Sequence, residues 1–109
     1  MAYKFHNTDN TLTTGANLGA AGEDIVIDSI IVGTPTAAKF IKIYDVNGAG
    51  NGDTANLAFH YLYPTFGAGT PASDQFSFGD KGLRLGNGGS IITDAAMKVT
   101  VVYHVFGQE

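Results

Sequence analysis

Apolar residues recur at every second position in several short stretches of this chain, a period typical of β-strands rather than helices. The alternation is longest in residues 23–32 and 97–106, which are rich in Ile and Val, residues that favour strands. No ten-residue stretch combines helix formers, caps and a 3.6-residue apolar period, so no helix is expected. The pattern predicts strands at residues 3–6, 11–14, 23–32, 38–46, 57–63, 74–78, 82–85, 90–93 and 97–106.

Glycine, asparagine and proline are concentrated between these stretches, at residues 47–53 and 65–73, where tight turns are expected. Short strands joined by such turns in 109 residues predict an all-β fold with a single antiparallel β-sandwich or jelly-roll-like domain. Residues 1–22 are expected to form an N-terminal strand and a loosely structured, extended arm, since 7–22 is mostly small and polar. The β-sandwich domain is assigned to residues 23–109.

The charge content and the absence of Cys exclude some classes of function. Charged residues make up 15% of the chain, below the usual value of about 25%, and a weakly charged surface favours burial against a partner. The net charge is −4 with six scattered Lys and Arg residues, so no nucleic-acid partner is expected, because phosphate binding needs a basic stripe. There is no Cys, which excludes disulfides and thiolate chemistry. No signal peptide or membrane-spanning apolar run is visible.

The last strand predicts a subunit contact. Val99, Val101 and Tyr103 lie on one of its faces, but the other face carries Val102, His104 and Phe106 as well as polar residues. A half-buried strand is expected to have one apolar and one polar face. The additional apolar residues indicate an oligomer, and loops folding over them within one subunit are the alternative.

Aromatic residues are clustered around the strand at residues 57–63. Tyr61 and Tyr63 lie there with Phe59, near Phe66 in sequence, and Tyr44 of the preceding predicted strand is grouped with them. We predict that this cluster serves in core and interface packing, with Tyr61 and Tyr63 at an interface. A platform on which sugars stack is the alternative interpretation.

One loop has the spacing of calcium ligands. Asp45, Asn47, Asn51 and Asp53 occupy positions 1, 3, 7 and 9 of an EF-hand-like loop, with Gly50 at position 6. Position 12 lacks the bidentate Glu, and the flanking segments are predicted strands. An Asn/Gly turn whose side chains bond their own backbone is therefore favoured over a calcium site, and no cofactor is expected.

Other candidate chemistry is weaker. His6, His60 and His104 could bind zinc only if the fold brought them together, and each lies within a strand pattern. The Gly-rich stretch 82–89 lacks the Lys-Ser/Thr of a phosphate-binding loop and predicts a hairpin turning at Asn87-Gly88. No Gly-x-Ser-x-Gly nucleophile motif occurs. We therefore predict no catalytic residues and no enzymatic activity.

The C-terminal part of the chain carries a family resemblance. The residues concerned are Gly-Leu-Arg-Leu at 82–85, the pair Gly88-Gly89, Ile-Ile-Thr at 91–93 and Val-Thr-Val-Val-Tyr at 99–103. This pattern resembles small structural proteins of tailed-bacteriophage virions, and the resemblance covers about residues 23–106. Members of this group are typically β-sandwiches that sit on capsids as decoration or cement proteins, often as trimers, or serve in tails.

The resemblance implies a virion structural protein that binds and stabilises the capsid surface without catalysis. The expected partners are further copies of the chain, as a homotrimer, and the major capsid protein, with no nucleic acid and no membrane. The expected location is the capsid surface of the virion, after synthesis in the host cytoplasm. The alternative function is a carbohydrate- or receptor-binding module of a phage tail or fibre.

Overall fold

The protein is an all-β sandwich in a computed structural model, which describes residues 3–8, 11–33, 40–50, 52–62, 74–93 and 98–107. The described part contains no helix, which confirms the all-β prediction. Its strands are β1 (Lys4–Thr8), β2 (Thr11–Leu18), β3 (Ile25–Gly33), β4 (Phe40–Tyr44), β5 (Leu57–Leu62), β6 (Asp74–Ser77), β7 (Leu83–Leu85), β8 (Gly89–Thr93) and β9 (Lys98–Val105).

The strands form two antiparallel sheets. The first sheet has the order β1-β9-β3-β6, with β7 pairing beside β6 on the same edge of β3, and the second has the order β2-β8-β4-β5. Successive strands therefore pass repeatedly from one sheet to the other. With β7 as an additional short strand, this order is that of a jelly roll.

The core lies between the two sheets. Ile27 and Val101 contribute to it from the first sheet, and Ile41, Ile43 and Ile91 from the second, all with no exposed surface. The alternation read in the sequence explains these positions, because every second residue of β4 and β9 faces the interior. A smaller cluster around Tyr44 and Ile92 lies on the opposite face of β4 and β8.

The N-terminal segment belongs to both sheets. Residues 1–22 are expected from sequence to include a loosely structured arm, yet β1 pairs with β9 and β2 pairs with β8. Backbone pairing needs no large apolar side chains. At Gly15 a small residue allows β2 and β8 to approach, because an added Cβ would lie only 2.7 Å from Ser90 Cβ.

A β-bulge in β3 changes which residues face the core. Ile27 pairs with Tyr103 but Ser29 pairs with Val102, so Asp28 is an extra residue on this strand. The alternation predicts Ile31 on the same face as Ile27. After the bulge the parity reverses, so Ile30 faces the core and Ile31 is 46% exposed on the outside.

Candidate functional site

Exposed hydrophobic side chains are concentrated on the outer face of the first sheet. Phe5 lies opposite Val102, the ring of Tyr3 contacts the ring of His104, and these residues belong to adjacent strands or their ends. We call this surface the apolar face and define it as Tyr3, Phe5, Ile31, Val102, His104 and Phe106. It includes all the large hydrophobic residues that are exposed in the described part of the chain: Tyr3 (50%), Phe5 (67%), Ile31 (46%) and Phe106 (45%).

A groove crosses this face. Its deeper end has a volume of about 520 Å³, with Val26 and His104 among its lining residues and the aromatic rings of Tyr3 and Phe106 beside them. Its shallower end, of about 420 Å³, is lined by Phe5 and Val102 together with polar side chains such as Gln75. The two ends share Tyr3, Asp28 and Asp80. The deep end thus combines apolar side chains with charged ones, whereas the shallow end is lined mainly by polar side chains.

His104 is the buried polar group beneath this groove. Its side chain is 7% exposed, and its Nδ1 lies 2.8 Å from Oδ2 of Asp28, whose side chain is 28% exposed. The bulge in β3 supplies Asp28 at this position, and β9 supplies His104 opposite Val26. The pair gives a buried imidazole a charged hydrogen-bond partner, which lowers the cost of burying it.

Arg84 joins three elements at the edge of the groove. Its Nε and Nη2 donate hydrogen bonds of 3.0 and 2.6 Å to the two carboxylate oxygens of Asp24. Its guanidinium carbon lies 3.6 Å from the centre of the Phe106 ring, a cation–π geometry. The hydrogen bonds from Arg84 lower the pKa of Asp24, and those same bonds raise the pKa of Arg84. Arg84 therefore anchors Phe106, which remains 45% exposed.

The structure brings together three of the five residues predicted for an interface. Val102, His104 and Phe106 all belong to the apolar face. Tyr61 lies in β5 of the second sheet, with its ring 4.7 Å from that of Phe76, against the core between the sheets. Tyr63 lies outside the described residues.

The described aromatic residues of the predicted sugar-stacking platform are, like Tyr61, packed inside the protein. Phe59 packs edge-on against Phe76 and Phe78, and Tyr44 has no exposed surface. Burial is the main cause that raises the pKa of Tyr44, and the charge of Asp53 adds to it. Phe66 lies outside the described residues. The described aromatics of this cluster therefore serve the interior, and the exposed ones lie on the first sheet instead.

The calcium candidates stabilise the loop that carries them. Oδ1 of Asp53 accepts hydrogen bonds from the backbone N–H groups of Ala55 and Asn56, and the side-chain bond from Asn56 to its Oδ2 is the main cause that lowers the pKa of Asp53. Oδ1 of Asp45 accepts a hydrogen bond from the Asn87 backbone N–H. These are the contacts of an Asx-rich turn.

Asn47 connects the same loop to the residue after β2 and to the start of β8. Its Nδ2 donates to the carbonyl oxygens of Gly19 at 3.1 Å and Gly89 at 3.3 Å. The fourth candidate, Asn51, lies outside the described residues. Within the described ranges, no group of three or more His, Asp or Glu side chains is arranged to hold a metal ion.

The three histidines lie apart. His6 is in β1 opposite Val101, a core residue, whereas His104 is on the outer face of the same sheet and His60 is exposed in the second sheet. Burial lowers the pKa of His6, and its Nε2 has no hydrogen-bond partner among the described residues.

The described residues include no helix that is long and apolar enough to span a bilayer.

The Gly-rich stretch forms a crossing between sheets rather than the predicted hairpin. β7 pairs with β3 in the first sheet, whereas β8 pairs with β2 and β4 in the second. Gly88, with a φ of 74°, lies at this crossing and donates to the carbonyl oxygen of Glu23. β8 consists entirely of buried residues, so it occupies the centre of a sheet, where a hairpin partner on β7 has no place.

Sequence reasoning missed the contribution of β1 to the apolar face. Tyr3 and Phe5 alternate with Lys4 and His6, and this signal predicts a strand but not which face is exposed. The groove also depends on the bulge at Asp28 and on the pairing of β1 with β9, which are long-range features.

The chain was also compared with known proteins. No protein-family model, curated protein or solved structure matches it.

Proposed function

We propose that the protein is a non-enzymatic virion structural protein that binds and stabilises the surface of a phage capsid, acting as an oligomer. The observation that carries the proposal is the apolar face. One sheet of the jelly roll presents its exposed large hydrophobic side chains together on its outer side, where a solvated sheet would be polar. Such a surface is typical of proteins that work by assembling with others.

Two further observations support an architectural role. The C-terminal pattern at 82–103 resembles that of virion structural proteins, and the fold there is a jelly roll, an architecture common in capsid proteins. The loops at one end of the sandwich are fixed by side-chain hydrogen bonds, including those of Asn47 to Gly19 and Gly89. A rigid module of this kind loses little conformational entropy when it binds.

The protein would stabilise the shell because its binding is thermodynamically linked to shell assembly. A protein that binds only the assembled shell shifts the equilibrium between shell and free subunits toward the shell. A specific contact needs a buried area above about 1,000 Å². The low charge of the chain, 15% Asp, Glu, Lys and Arg, is consistent with a neutral contact surface on the major capsid protein.

The test is co-sedimentation of the purified protein with empty shells of its parent virus, with dissociated capsid subunits as the control. We expect saturable binding to shells, weaker binding to free subunits and a rise in the temperature at which shells dissociate. Equal binding to shells and subunits, or none to shells, would overturn the proposal. Removing residues 1–22 is not a suitable test, because it takes β1 from one sheet and β2 from the other.

The alternative is a carbohydrate- or receptor-binding module of a tail or fibre, and the groove is the observation that favours it. Tyr3 and Phe106 supply apolar rings, and Asp28 and Asp80 supply hydrogen-bond acceptors beside them. Sugar recognition needs both kinds of group. A glycan array with hits that disappear in Tyr3→Ala would support this alternative over shell binding.

A further inference from the structure

Large hydrophobic side chains of the apolar face are exposed to water, and a contact that buries them is favourable. Phe5 is 67% exposed, the largest exposure among the large hydrophobic side chains described, and it lies opposite Val102 in the pairing of β1 with β9. Burial of an aromatic side chain is favourable relative to its exposed state, because apolar surface is removed from water. Several such side chains on one sheet face therefore provide substantial free energy for a contact that removes them from water.

We propose that a second copy of this chain covers the apolar face, and that the Phe5 ring of one protomer enters the groove of the other. This inference deepens the proposed function, since it names the surface through which the copies associate. The ring and the groove that receives it lie on the same face of each protomer. A self-complementary surface of this kind is what a two-fold contact between identical subunits requires, and such a contact differs from the three-fold contacts of the homotrimer expected from sequence.

The groove fits an aromatic guest. Val26 lies at its deep end, and the rings of Tyr3 and Phe106 flank it. Its volume of about 520 Å³ lies within the range of pockets that enclose a ligand group. Aromatic rings prefer edge-to-face or offset contacts, which stabilise a contact beyond what area burial contributes. A Phe5 ring that enters the groove would meet a lining that includes Tyr3 and Phe106.

The charges of the groove favour a copy of the chain over a strongly charged partner. Its deep end is lined by two carboxylates and two cations, namely Asp28, Asp80, Lys81 and Arg84. The protein as a whole has a net charge of −4, so this balance is local to the face. When identical patches meet, a single sign of charge would repel. A patch with equal numbers of positive and negative charges can face an identical patch without this repulsion. A basic or an acidic partner would gain no net electrostatic attraction from such a patch.

The pairing inside each protomer adds to this argument. Arg84 is held by Asp24 through two hydrogen bonds, and Asp28 lies against His104. Burying already paired charges leaves fewer unpaired groups than burying free ones. The apolar face is therefore prepared for burial in a protein–protein contact.

The experiment compares three proteins by light scattering after size exclusion: wild type, Phe5→Asp and the control Ala58→Asp. Ala58 is an exposed residue of β5 in the second sheet, so the control adds the same charge to a strand away from the apolar face. We expect wild type and the control to have a mass that is a multiple of 11.4 kDa. In Phe5→Asp we expect association to weaken by roughly 30-fold or more, the effect of losing a central contact residue.

A complementation experiment separates loss of the contact from loss of the fold. Asp80→Trp, on the rim of the groove, is expected to fill it and to weaken association to a similar extent. A mixture of Phe5→Asp and Asp80→Trp retains an open groove on one protein and a Phe5 ring on the other. Native mass spectrometry should therefore detect mixed oligomers at concentrations where each variant alone is monomeric.

The outcomes are distinct from those for the proposed function. A monomeric wild type, a Phe5→Asp protein of wild-type mass, or a mixture without mixed oligomers would overturn the inference. An oligomer that forms as described but ignores shells would overturn the proposed function and leave the interface intact. Glycan binding by a monomeric wild type would assign the groove to the alternative function and would also overturn the inference.

Discussion

Buried His104 and partly exposed Asp28 form a pair on the first sheet, with Nδ1 of the imidazole 2.8 Å from Oδ2 of the carboxylate. The pair exists because β3 carries one residue more than β9 between Ile27 and Ser29. The bulge therefore creates both the polar contact and the reversed parity that leaves Ile31 on the apolar face. One local irregularity thus determines the polar and apolar character of the same surface.

The first prediction concerns this pair. Asp28→Ala leaves the imidazole, 7% exposed, without its carboxylate partner, and the free energy of unfolding is expected to fall by about 1–3 kcal/mol. Urea unfolding at fixed protein concentration measures the loss. Asp28→Asn, which keeps a hydrogen-bond acceptor at the same place, should lose clearly less. Equal stability of wild type and Asp28→Ala would show that the contact contributes nothing.

A second prediction uses two glycines of one loop. Gly79 and Gly82 both have positive φ, 77° and 70°, so alanine at either is expected to cost about 1–2 kcal/mol from the left-handed backbone alone. An added Cβ at Gly79 meets nothing within 4 Å, but at Gly82 it meets Val26 Cγ1 and lies 2.8 Å from the carbonyl oxygen of Ile27. Gly82→Ala should therefore lose roughly 1–3 kcal/mol more than Gly79→Ala. Chemical denaturation of the two variants side by side provides the measurement, and equal losses would contradict it.

The strands themselves were largely predictable from sequence. Ile41 and Ile43 alternate with Phe40, Lys42 and Tyr44, and the structure places the two isoleucines in the core. The period-two signal is strong there because one face packs against the opposite sheet. The same reasoning placed Val102, His104 and Phe106 on the outer face of β9.

The features that sequence could not give are long-range. The pairing of β1 with β9 joins residues about a hundred positions apart, and no local sequence pattern indicates which strands pair. β2 gave little signal because its pairing relies on backbone groups and on small residues such as Gly15. The bulge at Asp28 shifts parity by one residue, and an alternation read along a single strand contains no mark of such a shift.

A third prediction separates a turn from a calcium site. The carboxylate oxygens of Asp53 already accept bonds from Ala55 and Asn56, and Asp45 accepts one from Asn87. Calcium requires six to eight oxygen ligands, so we expect millimolar calcium or EDTA to leave the thermal midpoint unchanged. Differential scanning calorimetry in both buffers tests this, with magnesium as the ionic-strength control. A midpoint that rises with calcium and not with magnesium would establish a calcium site at this loop.

The last prediction concerns pH and His6. Burial lowers the pKa of His6 below its ordinary value of 6.5, because the imidazolium is poorly solvated beside the core and its Nε2 has no partner among the described residues. Above pH 6.5 the imidazole is neutral in both states and favours neither. Below that pH the unfolded chain binds a proton that the folded chain resists. Stability is therefore lost as pH falls through the unfolded pKa and then the folded pKa.

The measurement is the free energy of unfolding between pH 7.5 and pH 5.5 for wild type and His6→Gln. Glutamine stays neutral throughout, so the variant should lose less stability across this range than wild type. Asp24 and Asp53 have pKa values lowered from 3.8, so their contributions change at more acidic pH and do not enter the comparison. The two proteins differ only at residue 6, so the difference between the two curves isolates the contribution of His6. A pH dependence in His6→Gln as steep as that of wild type would show that this residue is not the group whose protonation opposes folding.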